Sequence, residues 1–183
     1  MQKELLVINL FVFFIFSCSS NKNIASDNDS IFKLIANDIQ SKNINNVICF
    51  NKSNNNLSVV SLIKESKIAT DKGGKELEEF KQINGIKNDS ELNLIFNPKD
   101  YNSMISQESN SFWDDSRINN FSFCNVEANT IYTKKVYISK PIYTKDKTLA
   151  LIYINKGGSS SYILVLKREK ENWKEIKIIS PTI

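Results

Sequence analysis

Leu149-Ala150-Leu151-Ile152-Tyr153-Ile154-Asn155 and Tyr162-Ile163-Leu164-Val165-Leu166-Lys167 decide the fold. Both runs are apolar at nearly every position, the pattern of central strands buried on both faces. Lys135 to Lys140 precedes them and Trp173 to Ile179 follows, two further β-rich runs. Between the four lie Lys145-Asp146-Lys147, Lys156-Gly157-Gly158 and Glu169-Lys170-Glu171-Asn172, all turn-like. Sequential strands joined this closely pair with their neighbours, so the C-terminal third is expected to be an antiparallel meander. The two outer runs carry more Lys and Glu, as edge strands do.

Upstream, Ile31, Leu34, Ile35 and Ile39 recur at helical spacing, which predicts an amphipathic helix from Ser30 to Lys42 with Asp29 or Ser30 as its N-cap. Val47 to Phe50 reads as a short strand and Asn51 to Asn56 as an exposed turn. Leu57 to Ile63 reads as a second, extended apolar stretch. Asp71-Lys72-Gly73-Gly74 is turn-like, and Lys75 to Gln82 is a short helix burying Leu77 and Phe80. Leu92 to Phe96 alternates as a strand would. Asn97-Pro98 then opens a helix through Tyr101, Met104 and Ile105 to about Glu108. The expected class is α+β: an N-terminal amphipathic helix and short helices packed on an antiparallel sheet that ends in a four-strand C-terminal meander. Residues 30–183 form one domain in this reading.

Composition limits the chemistry. A chain of 183 residues with 41% hydrophobic content can bury a real core. It has no His, which excludes His-dependent triads, His-ligated zinc or haem, and imidazole acid–base catalysis. Five Gly leave little for phosphate-cradling loops, and neither a dinucleotide fingerprint nor a Walker-type loop occurs. No cofactor is implied.

The amino terminus sets the address. Gln2-Lys3-Glu4 carries the only early charges, and Leu5 to Phe16 is apolar except at Asn9. That run is too short for a spanning helix, which needs about 20 residues, and suits a signal peptide. Ile15-Phe16-Ser17-Cys18 resembles a bacterial lipobox of the looser form met in Bacteroidota, with Phe16 bulkier than that position usually allows. The resemblance implies a signal peptide over residues 1–17, lipidation at Cys18 and a flexible Ser/Asn-rich tether over residues 18–29. The partner would be the membrane, through acyl chains, since paired chains anchor stably where one does so marginally. Cleavage after Ser19 or Ser20, or an uncleaved anchor, is the competing reading. With Lys22 in place of an acidic run after Cys18, the periplasmic face of the outer membrane is favoured over the cell surface. In that oxidising compartment Cys49 and Cys124 are either a disulfide or two buried thiols.

A second resemblance covers residues 96–179. Phe96-Asn97-Pro98-Lys99-Asp100-Tyr101, Phe112-Trp113-Asp114, Ser139 to Lys147, Ala150-Leu151-Ile152-Tyr153 and Asn172-Trp173-Lys174 together resemble a family of small Bacteroidota lipoproteins with no established activity. The relatives often carry a Cys- and Gly-rich hairpin where this chain has Gly157-Gly158-Ser159-Ser160-Ser161. The likeness implies location and fold but no chemistry.

Asp114 and Asp115 are the adjacent carboxylate pair outside the charged helical turns, and could act as acid/base groups or cation ligands. The bland alternative, a loop whose Trp113 packs inward while the aspartates face water, is preferred. Asp27-Asn28-Asp29 begins like a calcium loop but lacks the Gly six residues in. Asp29-Ser30-Ile31 also resembles a short O-glycosylation acceptor. Ser159, Ser160 and Ser161 sit in no nucleophile elbow. Residues 18–132 hold 12 basic and 15 acidic residues, whereas residues 133–177 hold 11 basic and 4 acidic, a net of +7. Tyr132, Tyr137, Tyr143, Tyr153 and Tyr162 interleave with those lysines, so Tyr143 and Tyr153 are candidate ligand contacts. An anionic glycan, a lipid headgroup or an acidic envelope protein would fit such a face, and edge protection by Lys would explain it without a ligand. Two Arg in the whole chain argue against nucleic acid. The expected function is a lipid-anchored, non-enzymatic binding or interaction module. A carboxylate-dependent cell-wall glycan hydrolase and an immunity or inhibitor lipoprotein are the alternatives.

Overall fold

A computed structural model describes residues 25–43, 47–114, 116–118, 120–124, 133–157 and 160–180. The signal peptide, Cys18 and the tether up to residue 24 lie outside the described residues. Helix α1 covers residues 25–41. Strand β1 (Val47–Asn51) follows, then α2 (Leu57–Lys72), α3 (Gly74–Ile83), α4 (Asp89–Ile95) and α5 (Tyr101–Ile105). The rest is β: β2 (Phe123–Cys124), β3 (Thr133–Ile138), β4 (Ile142–Tyr143), β5 (Leu149–Asn155), β6 (Ser161–Glu169) and β7 (Asn172–Ile179). The class is α+β. Among the described residues, no helix is long and apolar enough to cross a membrane.

The strands make one seven-stranded sheet in the order β2-β1-β3-β5-β6-β7, with β4 also on β5. The meander is present, and β5 and β6 are its central strands. Side-chain alternation on them feeds two cores. Ala150, Ile152, Ile154, Leu164 and Leu166 point to a core under α1, whereas Leu151, Ile163 and Val165 point to a core under α2–α5. The sheet is thus the middle of three layers, which is why both runs are apolar throughout. Each fully buried Leu or Ile stabilises by roughly 1.5–3 kcal/mol over leaving it in water.

Several local expectations are corrected. Strand β3 is not an edge, because β1 runs parallel along its other side in the register Val47↔Thr133 to Phe50↔Val136, and β2 lies parallel beyond β1. The sheet is therefore mixed, its edges being β2, β7 and the outer side of β4. Leu57 to Ile63 is the start of helix α2. Its buried residues Val59, Val60, Leu62, Ile63, Ser66 and Ala69 carry helical spacing past the apolar stretch that read as extended, where the β-branched Val59 and Val60 fit either state. Leu92 to Phe96 falls in and just past α4, whose N-cap Asn88 accepts the Glu91 N–H while Glu91 Oε2 accepts the Lys87 N–H. Asn97-Pro98 does not open the helix: residues 98–100 are a turn, α5 begins at Tyr101 behind Asp100, and it stops at Ile105. Helix α1 reaches back over residues 25–29, so that end of the tether is helical and neither Asp29 nor Ser30 is an N-cap. Ser30 Oγ instead donates to the Ser26 carbonyl at 2.8 Å.

Helix α1 buries Ile31, Phe32, Ile35, Ala36 and Ile39 on the sheet. Phe32 sits 4.9 Å from Trp113, 5.4 Å from Phe50, 5.6 Å from Phe121 and 5.7 Å from Phe123, ring centre to ring centre. The two arginines of the chain both serve this helix. Arg168 Nη2 and Nη1 hold the Asp27 carboxylate at 3.1 and 3.2 Å, and Arg117 holds Asp29 at 3.0 Å. Cys49 and Cys124 are joined as a disulfide across β1 and β2, Cα atoms 5.2 Å apart, closing 75 residues of chain. Two-residue β2 needs such a fastening, having only Phe50↔Phe123 and Asn51↔Cys124 in register.

Two outcomes are expected in denaturant titrations. Arg168→Met leaves the largely buried Asp27 charge unpaired and lowers stability by about 2 kcal/mol, and adding Asp27→Asn restores most of the loss. Replacing Cys49 and Cys124 together by Ala lowers it by about 2–4 kcal/mol, because the unfolded chain regains the freedom of a long closed loop.

Candidate functional site

Strands β3 and β4 lie end to end along one edge of β5, β3 pairing Ile138↔Ile154 and β4 pairing Ile142↔Leu151. Between them Ser139 carries the ladder forward. Its N–H donates to the Tyr153 carbonyl at 2.8 Å, and its Oγ accepts the Tyr153 N–H at 2.8 Å. The next N–H, of Lys140, turns away to the Asn54 carbonyl at 2.8 Å, and Pro141 has none to offer. The break leaves the outer side of β4 without a strand. Gln107 fills that place: its Nε2 donates to the Tyr143 carbonyl at 2.7 Å and its Oε1 accepts the Tyr143 N–H at 2.9 Å.

A cleft of about 380 Å³ opens there, between the chain after α5, strand β4 with its following turn, and Asn28 of α1. Lys140, Lys145 and Lys147 line it, with Glu108 as the single carboxylate. Glu108 is engaged by Lys64 at 3.6 Å. Among the described residues no carboxylate pairs with the three lysines. The cleft therefore carries an excess of positive charge at close quarters.

The turn that presents Lys145 and Lys147 is internally fastened. Asp146 Oδ1 accepts Thr144 Oγ1 at 2.7 Å, Thr148 Oγ1 at 2.9 Å and the Thr148 N–H at 3.1 Å. These bonds, that from Thr144 foremost, hold the Asp146 carboxyl below the usual range, so it stays charged at neutral pH. Lys147 sits at φ +57°, where L side chains are uncommon. The cleft wall is equally set: the buried Tyr143 donates its hydroxyl to Asn28 Oδ1 at 2.8 Å and packs its ring 5.8 Å from that of Trp173. Burial raises the Tyr143 pKa, with Asp27 adding and Arg168 opposing.

The candidates read from sequence separate. Tyr143 lines the cleft. Tyr153 belongs to the opposite face of the sheet, packed against the second core with its ring 5.9 Å from Tyr137. The interleaved tyrosines therefore do not form one surface, and Tyr132 lies outside the described residues. Nor is the basic meander a single face. Arg168 is paired with Asp27, Lys177 with Glu91 at 2.8 Å and Lys174 with Glu169 at 3.9 Å, while Lys156 lies over the Tyr162 ring at 5.0 Å. Asp114 is exposed and accepts the Ser116 N–H and hydroxyl at 3.1 and 2.6 Å, and Asp115 lies outside the described residues. Trp113 is buried, its Nε1–H donating to the Ile138 carbonyl at 3.0 Å. Burial raises the pKa of Asp29, Arg117 and Lys33 oppose, and Asp114 adds a smaller push. Among the described residues no cluster of three or more metal-ligating side chains occurs.

Sequence reading did not single out Gln107 or Glu108, which come to the cleft from the chain after α5, and it weighed Asn28 of α1 only within Asp27-Asn28-Asp29. The Ser139-Lys140-Pro141 and Lys145-Asp146-Lys147 segments were visible as motifs, though not as two sides of one cleft. Comparison with protein-family models, curated proteins and solved structures finds no match for this chain.

The tyrosines make a pH prediction. The Tyr137 hydroxyl donates to the Asn55 carbonyl, and burial pushes its pKa up to about 12, Ser53 opposing and Tyr153 adding. Because the folded pKa is raised, its stabilisation is complete below about pH 10 and is lost as pH rises towards 12. Over that window chemical denaturation should show stability falling by up to about 1.4 kcal/mol per pH unit for this group, a component that Tyr137→Phe removes.

Proposed function

We propose that this chain is a lipid-anchored cell-envelope protein, acylated at Cys18 on the periplasmic face of the outer membrane, and that it is a non-enzymatic module binding an anionic ligand. The observation that carries the binding half is the convergence of Lys140, Lys145 and Lys147 on one cleft whose walls are held by Gln107 and by the Asp146 turn. Ammonium groups carried on an anchored backbone attract an anion, and the order already present in that backbone is entropy not lost on binding. The anchoring half rests on the apolar run ending at Cys18. Tyr153, Asp114 and Asp115 have no part in this reading, and Tyr143 contributes as a wall.

The test uses the full chain in detergent micelles and polygalacturonate as probe. Retention on immobilised polygalacturonate is expected for the parent and lost with Lys140→Glu plus Lys145→Glu, while Lys134→Glu plus Lys135→Glu on β3 leaves it unchanged. Equal loss with both pairs would reduce the effect to net charge and remove the cleft. Acylation should appear in the intact mass and in partition into detergent, and both should vanish with Cys18→Ala.

A further inference from the structure

Resting on that reading, we infer that the cleft beside β4 takes an acidic saccharide bearing two negative charges close together. With Glu108 offset by Lys64, the three lining lysines stand against the Asp146 carboxylate of their own turn, an excess of two positive charges that a dianion balances. The rest of the lining is amide and hydroxyl: Asn28, Ser103, Gln107, Ser109 and Thr144. Asn28 gives its Oδ1 to Tyr143, which leaves its Nδ2 as a donor at the cleft. Glu108 and the hydroxyls can accept from sugar hydroxyls. Pro141 and Tyr143 are the apolar elements, and the Tyr143 ring is packed against Trp173, so no open aromatic face remains for a nucleobase and no apolar channel for an acyl chain. A polyhydroxylated body with an acidic group matches each of these features.

Lys147 occupies left-handed backbone at φ +57°, where glycine or asparagine would be easier, and three hydrogen bonds to Asp146 Oδ1 hold its turn together. Lys170, at φ +60° in the β6–β7 turn, has the same backbone geometry away from the cleft and serves as the control.

Calorimetric titration of the full chain in micelles distinguishes the outcomes, with glucose 6-phosphate, digalacturonate, inorganic phosphate, glucose and phosphatidylglycerol vesicles as probes. Glucose 6-phosphate and digalacturonate should each bind about tenfold more tightly than inorganic phosphate or glucose. Lys147→Gly should weaken both by about tenfold while Tm stays level or rises, and Lys170→Gly should leave binding unchanged with the same effect on Tm. If inorganic phosphate binds as tightly as glucose 6-phosphate, the saccharide inference falls while the anion-binding function stands. If vesicles bind and the soluble acids do not, the ligand is a lipid headgroup and the inference is overturned. If no anionic probe binds, both fall.

Discussion

The bidentate pair between Arg168 of β6 and Asp27 of α1 is the contact on which the architecture turns. Helix α1 is the sole described helix over one face of the sheet, and its first described turns carry three polar residues in a row, Asp27, Asn28 and Asp29. Left unpaired, such groups would oppose docking, since a buried charge without a partner costs several kcal/mol. Each has a partner instead: Arg168, the Tyr143 hydroxyl and Arg117. The same Arg168 lies 5.4 Å over the Trp173 ring, so the pair also seats β7 against the core. The polar contacts set where α1 sits along the sheet, and Phe32 among its aromatic neighbours supplies the apolar burial that keeps it there.

The cleft follows from that docking and from the interruption between β3 and β4. A continuous strand would have brought a neighbour onto the outer side of β4. Pro141 prevents this, and the Gln107 amide meets the backbone groups so exposed. Once Tyr143 is fixed by Asn28 on one side and by Gln107 on the other, the following turn is held in place, and with it Lys145 and Lys147. The backbone that carries these lysines is thereby fixed at the mouth of the cleft.

Legibility in the sequence tracked how local each determinant was. The meander was readable because its strands are consecutive, its turns are short and its central runs are apolar on both faces. The Leu57–Ile63 stretch misled because Val59 and Val60 favour strands locally, whereas the helical repeat shows only when Ser66 and Ala69 are included. The edge position expected of β3 failed because β1 lies more than 80 residues upstream and arrives by way of four helices. Asp27-Asn28-Asp29 looked like a failed ion loop because its partners, Arg117, Tyr143 and Arg168, are far away in the chain.

The sequence by itself determined the α+β class, the order of the C-terminal strands and the presence of a positive excess between residues 133 and 177. Those properties rest on local periodicity and composition, which neighbouring residues settle among themselves. Tertiary structure alone decided which lysines stand together, which tyrosine meets them and which face each core occupies. Ion pairing with Glu91, Glu169 and Asp27 withdraws Lys177, Lys174 and Arg168 from the surface charge, and pairing across such distances depends on packing. Among the described residues, packing gathers Lys140, Lys145 and Lys147 at one cleft with no carboxylate paired to them, brought there by a strand break and a long-range amide clasp.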